Sequence, residues 1–87
     1  DRTAPSPALL DFLKAGRLIA SNAWRTAGGY WMASFAVALD DGRTLTHTLP
    51  PPCRSKHEME LWLANISGEI GSPIATTWQD FTTPGGE

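Results

Sequence analysis

Tyr30–Leu49, with the sequence YWMASFAVALDDGRTLTHTL, decides the fold. Its first half alternates large apolar residues with other ones, which is the period of a β-strand with one buried face. The residues that share this face are Trp31, Ala33, Phe35, Val37 and Leu39. Asp41-Gly42 is a strong hairpin signal, and threonines alternate with other residues after it. The residues that alternate with those threonines are Leu45, His47 and Leu49. The stretch therefore predicts two antiparallel strands joined by a tight turn.

A further strand and a helix are predicted before this hairpin. Arg17–Thr26 contains branched and aromatic residues and leads into Ala27-Gly28-Gly29, so it predicts a strand followed by a turn. Ser6–Gly16 predicts a short helix, because serine is a good N-cap and the proline after it suits the first helical position. We expect Gly16 to end this helix in the left-handed conformation.

A second helix and a last strand are predicted after the hairpin. Pro50-Pro51-Pro52 predicts a stiff connector, because proline has no N–H to donate to a sheet. Ser55 and Glu58 have the spacing of a capping box, in which the glutamate reaches back to the capping residue. The apolar residues that follow lie on one helical stripe, made of Met59, Trp62, Leu63, Ile66 and Ile70. Gly71 is expected to end the helix, and Ile74–Thr82 predicts a short edge strand. The aromatic residues of that strand are Trp78 and Phe81.

These elements follow the order α-β-β-β-α-β and predict an α+β fold. We expect a two-layer sandwich, in which an antiparallel sheet of three to four strands carries both helices on one face. A chain of 87 residues has room for one hydrophobic core, so residues 1–87 are predicted to form a single domain. Residues 1–5 and 83–87 are expected to be flexible.

The composition argues against several functional classes for this protein. Seven Lys and Arg stand against nine Asp and Glu, and this net charge of −2 argues against a protein built mainly to neutralise phosphates. The single cysteine, Cys53, excludes an internal disulfide framework and favours a reducing, cytoplasmic location. The apolar stretches are too short to span a bilayer, and the first twenty residues lack the apolar segment of a signal peptide.

Cys53 lies between His47 and His57 in the sequence, and this set raises two chemical alternatives. Zinc requires four ligands, but the chain has one cysteine and no paired C-x2-C spacing. A cysteine nucleophile is the other alternative, because Cys53 precedes a helix N-terminus that favours the thiolate. His57 would be its base, with Asp40 or Asp41 orienting that base. We expect neither chemistry, and therefore predict no catalytic residue, no metal and no cofactor.

Nucleic acid is a further alternative. The order α-β-β-β-α resembles that of double-stranded-RNA-binding domains, in topology alone. Such domains carry basic residues at the start of the second helix, which contact phosphates. In this chain Cys53–Glu60 contains two cations, Arg54 and Lys56, against two acids. A weaker form of this alternative is single-strand binding, in which bases stack on sheet aromatics and the scattered arginines contact the backbone.

The sheet face away from the helices is the strongest candidate for a functional surface. Small residues, hydroxyls and aromatics are expected to make it flat and half-apolar, and Trp, Tyr and Met are frequent in protein interfaces. The predicted partner-binding residues are Trp24, Tyr30, Met32, Thr44, Thr46, Thr48 and Trp78. The alternative for the two tryptophans is that they complete the core.

The sequence therefore predicts a non-enzymatic protein-binding module of the adaptor, immunity or inhibitor type, as phages and bacteria encode. Its predicted partner is another protein or a second copy of the chain, which would make a homodimer. The open sheet face or an edge strand is expected to bind that partner.

Overall fold

Six elements follow one another in the predicted order in a computed structural model that describes residues 3–80. They are α1 (Pro7–Lys14), β1 (Arg17–Arg25), β2 (Trp31–Ala38), β3 (Thr44–Leu49), α2 (Lys56–Ile70) and β4 (Thr76–Asp80). The strands form one sheet in the order β3-β2-β1-β4. The α+β prediction is confirmed. Phe81 and the expected flexible tail, residues 83–87, lie outside the described residues.

One pair of strands departs from the antiparallel prediction. β1 pairs antiparallel with β2, and β2 with β3, but β4 lies parallel to β1. The reason is the connection: β3 runs in the direction of β1, α2 carries the chain back, and β4 then starts again in that direction. The β-α-β crossover thus makes a mixed sheet with the helix on one face.

The two hairpin turns share one conformation. Thr26 donates to the Tyr30 carbonyl across the first turn at 2.8 Å, and Leu39 donates to the Arg43 carbonyl across the second at 2.8 Å. Each turn therefore closes over three residues, and each has a glycine of positive φ in its third position, 87° at Gly29 and 91° at Gly42. A glycine is needed there because other residues rarely adopt this conformation.

Both helices begin at the predicted serines. The Ser6 Oγ accepts from the Leu9 N–H at 3.2 Å, and the Ser55 Oγ accepts from the Glu58 N–H at 3.1 Å. The Glu58 carboxylate reaches back as expected, but it accepts from the Arg54 N–H at 2.7 Å, one residue before the cap. α2 ends at Gly71, as predicted. It has 15 residues, and no helix of the described part of the chain is long and apolar enough to cross a membrane.

Gly16 does not have the predicted left-handed conformation, since α1 ends at Lys14 with Ala15 as its C-cap, and Gly16 has no positive φ. The glycine is required for another reason. A Cβ at this position would lie 2.3 Å from the Ala38 carbonyl oxygen and 2.8 Å from Val37 Cγ1. The α1–β1 connection therefore lies directly against the end of β2.

β1 contains a β-bulge that the sequence pattern does not predict. Leu18 pairs with Val37, and Ala20 pairs with Ala36, so Ile19 is an extra residue in the ladder. This bulge places Leu18 against the core although it is an even-numbered residue in a strand whose other core residues are odd-numbered. Ile19 itself is 47% exposed.

Both helices cover the same face of the sheet. The residues of β2 alternate between buried and half-buried along the whole strand, because the odd-numbered ones face the helices. The Phe35 and Trp62 rings meet with centroids 5.9 Å apart at the centre of the core. The buried apolar residues are Leu9, Leu13, Ala23, Trp31, Ala33, Phe35, Val37, Met59, Trp62, Leu63 and Ile66. Thr3 is also buried and accepts from Asn65 Nδ2 at 2.9 Å through its carbonyl, which ties the start of the described chain to α2.

We predict that Gly16→Ala lowers the free energy of unfolding by about 1–3 kcal/mol, because its methyl group would overlap backbone that cannot move without shifting β2. Gly68→Ala is the matched control, since a Cβ there has no heavy atom within 4 Å and alanine favours a helix. Urea denaturation of both variants is the measurement. Equal stability of the two variants would contradict the close approach.

We predict that Trp62→Ala lowers the free energy of unfolding by about 3–5 kcal/mol, because it leaves a large cavity beside Phe35. A domain of this length has a total stability of about 4–13 kcal/mol, so this variant is expected to be partly or fully unfolded at 25 °C. Leu61→Ala, the adjacent residue with 46% exposure, is expected to cost less than about 1 kcal/mol. Thermal denaturation followed by circular dichroism compares the two, and a similar loss in both would contradict the assigned core.

Candidate partner-binding surfaces

The face of the sheet opposite the described helices is the first candidate surface. Even-numbered residues of β2 point to it, and the strand register shows which residues of the other strands lie beside them. This open face consists of Arg17, Ala20, Asn22 and Trp24 in β1, Met32, Ser34, Ala36 and Ala38 in β2, Thr44, Thr46 and Thr48 in β3, and Thr77 and Gln79 in β4. Arg17, at the start of β1, is the one charged residue among these, and the face is otherwise mostly small and polar.

The large residues of the open face lie at one end of it. Trp24 and Met32 are register partners, and both are half-buried. Tyr30 lies just before β2, in the turn, and is 73% exposed. Its ring covers Gly28, where a Cβ would meet two ring carbons at 3.2 Å. The three predicted residues thus lie near the β1–β2 turn, while the predicted threonines lie along β3.

Trp78 does not join this face. β4 pairs parallel with β1 so that Trp78 lies opposite Ala23, which faces the helices and is fully buried. Trp78 packs at the margin of the core, with its ring centroid 5.8 Å from that of Trp31 and the two planes at 86°. The prediction that Trp78 lies on the open face is therefore wrong, and the alternative that it completes the core describes its position.

β3 is the second candidate surface, because it lies at the edge of the sheet and all its residues but Leu49 are exposed. Leu39 and Arg43 form a hydrogen-bonded pair across the turn, so the alternation of an antiparallel ladder directs the peptide groups of residues 45, 47 and 49 toward β2. The peptide groups of Thr44, Thr46 and Thr48 then point outward, away from the sheet. β4 lies at the opposite edge, as predicted for the last strand, and has five residues.

The third candidate surface is a groove of about 400 Å³ between the start of α2 and the ends of β1 and β4. Its lining residues are Arg25, Trp31, Arg54, Ser55, Lys56, Trp78 and Gln79. Two cations lie over its indole rings: Lys56 Nζ is 5.1 Å from the centroid of Trp78, and Arg25 Cζ is 5.8 Å from that of Trp31. Asp80 is the register partner of Arg25. We call this surface the cationic groove.

The cationic groove was not predicted from the sequence. Arg54 and Lys56 were noted together at the start of the second helix, but Arg25 was counted among the scattered arginines. The groove exists because β4 lies parallel to β1, which places Trp78 beside Trp31 and near the start of α2. The sequence signals for it were the pair Arg54 and Lys56 and the aromatic residue Trp78 in the last strand.

The structure places His47 and Cys53, two residues of the cysteine alternatives, in different surroundings. His47 is exposed on β3, with its ring centroid 5.4 Å from that of Phe12, and Cys53 packs half-buried against the core. Within residues 3–80 no group of three or more His, Cys, Asp or Glu side chains is placed to hold a metal ion.

Asp40 and Asp41 lie at the opposite end of β3 from Cys53. They lie in the turn before β3, whereas Cys53 follows β3, and a strand of six residues spans about 20 Å. The Asp41 carboxylate accepts from the Arg43 backbone N–H at 3.0 Å and from its Nε at 2.7 Å, so it stabilises the turn. The suggestion that either aspartate orients a base for Cys53 is therefore wrong.

Comparison of the chain with protein-family models, with curated proteins and with solved structures gives no match.

Proposed function

We propose that this protein is a protein-binding module that takes up an extended segment of a partner at the outer edge of β3. The observation that carries the proposal is an edge strand of six residues with five of them exposed, no charge-bearing side chain other than His47, and a regular row of outward peptide groups. An added strand would bond to the outward peptide groups of Thr44, Thr46 and Thr48.

The composition of β3 supports this proposal. Natural edge strands are usually protected by a lysine, a proline, a bulge or an inward-pointing charge, because an unprotected edge pairs with other chains. Thr44–Leu49 contains none of these devices, and its pairing with β2 is regular. Protection begins only outside the strand, with Arg43 before it and Pro50 after it.

The open face supports the same proposal. A strand added to β3 would extend this face, and its alternate side chains would lie next to the threonines of β3. Trp24 and Met32 lie on the same face and would contact only a partner that reaches across the sheet. We therefore assign the main contact to β3 and the adjoining part of the open face.

The type of module, its origin and its location in the cell stay predictions. The adaptor, immunity or inhibitor type and the phage or bacterial origin rest on the small size and acidic balance of the chain. The cytoplasmic location rests on its single cysteine.

A matched pair of variants at one position tests this proposal. Thr46→Pro removes the outward N–H that an added strand needs, but not a donor of the β2–β3 ladder, and proline is tolerated at such edge positions. Thr46→Val keeps the N–H and changes only the side chain. We expect peptides selected from a random library on the wild-type protein to bind Thr46→Val within about threefold and to lose at least tenfold on Thr46→Pro.

Amide hydrogen exchange gives a second readout that needs no variant. At low protein concentration, the amides of residues 45 and 47 are expected to be protected, and those of residues 44, 46 and 48 to gain protection after a selected peptide is added. Equal binding by both variants, or no new protection at the outward amides, would show that β3 is not the binding edge.

A second candidate function is binding of single-stranded nucleic acid, because the cationic groove combines three cations with two indole rings. Base stacking on aromatic side chains and cationic contacts to the backbone are the two components of such binding. Arg54 lies just before α2, Lys56 is the first residue of α2, and Arg25 is the last residue of β1; all three line the groove.

For this second candidate we predict that a fluorescent oligothymidylate binds the wild-type protein with a strong salt dependence. About three phosphate contacts give a log–log slope near about −2. The double variant Arg54→Gln/Lys56→Gln should reduce both the affinity and the slope. Arg17→Gln is the matched control, because Arg17 is exposed at the other end of β1. If both variants bind as the wild type does, the groove does not bind nucleic acid.

A further inference from the structure

The partner that fits the outer edge of β3 best is a second copy of the same strand. We propose that two copies of the chain pair their β3 strands antiparallel about a two-fold axis through Thr46, so that two four-stranded sheets become one of eight strands. This inference rests on the proposed function and names its partner.

The positions of the outward peptide groups favour this arrangement. They belong to Thr44, Thr46 and Thr48, which are evenly spaced about the middle one. A two-fold axis at Thr46 places that residue opposite its own copy and Thr44 opposite Thr48 of the other chain. Each of these three facing pairs exchanges two N–H···O=C bonds, so every outward peptide group of the strand is used.

Neighbouring registers use fewer of these groups. An axis at Leu45 would pair Thr48 with Gly42, which lies in the turn with a φ of 91° and is outside the strand. An axis at His47 would pair Thr44 with Pro50, which has no N–H to donate. Only the axis at Thr46 pairs all three outward peptide groups with one another inside the strand.

The side chains are compatible with the same register. On the open face it brings threonine opposite threonine, a favourable cross-strand pair. On the other face it brings Leu45, which is 38% exposed, opposite the exposed His47 of the second copy. Each of these side chains then covers the other.

The charges also permit this pairing. Arg43, the cation next to the strand, lies opposite Leu49 of the second copy rather than opposite another cation. Its Nε is also bonded to the Asp41 carboxylate at 2.7 Å, which offsets its charge locally. No pair of like charges is therefore brought face to face along the strand.

One strand from each copy makes a small interface, so a weak and reversible dimer is expected. Sedimentation equilibrium over a range of concentrations should show the mass rising from that of one chain to that of two. Because Thr46 lies on the axis, Thr46→Glu and Thr46→Lys each place like charges opposite each other. Each variant alone should associate about tenfold more weakly than the wild type.

The equimolar mixture of these two variants gives the decisive result. It pairs glutamate with lysine on the axis, so association should return to the wild-type level or exceed it. Thr77→Glu and Thr77→Lys are the matched controls, because Thr77 is an exposed threonine of the same open face, in the opposite edge strand. They should leave association unchanged, alone and mixed.

Three results would overturn the inference: a wild-type protein that stays monomeric at every concentration, charged variants that associate as the wild type does, or a mixture that fails to recover. If the wild type is monomeric while selected peptides still bind β3 and require the Thr46 N–H, the proposed function stands and only the partner is wrong. If neither peptides nor a second copy bind, both fail.

Discussion

The burial of one side of β2 is the constraint on which the rest of the structure depends. β2 is a central strand of the sheet, and its odd-numbered side chains are sealed beneath both helices, with Phe35 against Trp62 at the centre. Because side chains alternate along a strand, sealing one side fixes which residues lie on the other. The composition of the open face is thus a consequence of the core. The turn that pairs Leu39 with Arg43 sets the β2–β3 register, and with it the peptide groups that β3 directs outward.

The sequence predicted the features that local interactions determine. The alternation of Trp31–Leu39 identified the buried face, and Ser6 and Ser55 marked the helix starts, because capping and periodicity involve residues only a few positions apart. The hairpin signal at Gly42 was also local. Prediction failed where a long-range contact decides. Gly16 was assigned to a helix terminus because its true constraint, the Ala38 carbonyl, is distant in sequence.

The candidate sites show the same division. The threonines of β3 and the pair Trp24 and Met32 were placed on the open face correctly, since strand alternation is enough to assign them. Trp78 was placed wrongly, because its face depends on how β4 registers against β1. The cationic groove was missed for the same reason. Arg54 and Lys56 are close in sequence, but Arg25 and Trp78 join them only after the crossover through α2 brings β4 beside β1.

The bulge at Ile19 has a consequence for how β1 tolerates changes in length. Everywhere else in this strand, removing one residue would turn all the side chains on one side of the cut to the opposite face. Removing Ile19 would instead join Leu18 to Ala20 in an unbroken ladder, with their partners Val37 and Ala36 already adjacent. This position is therefore where β1 accepts a shorter chain with its inner and outer faces preserved.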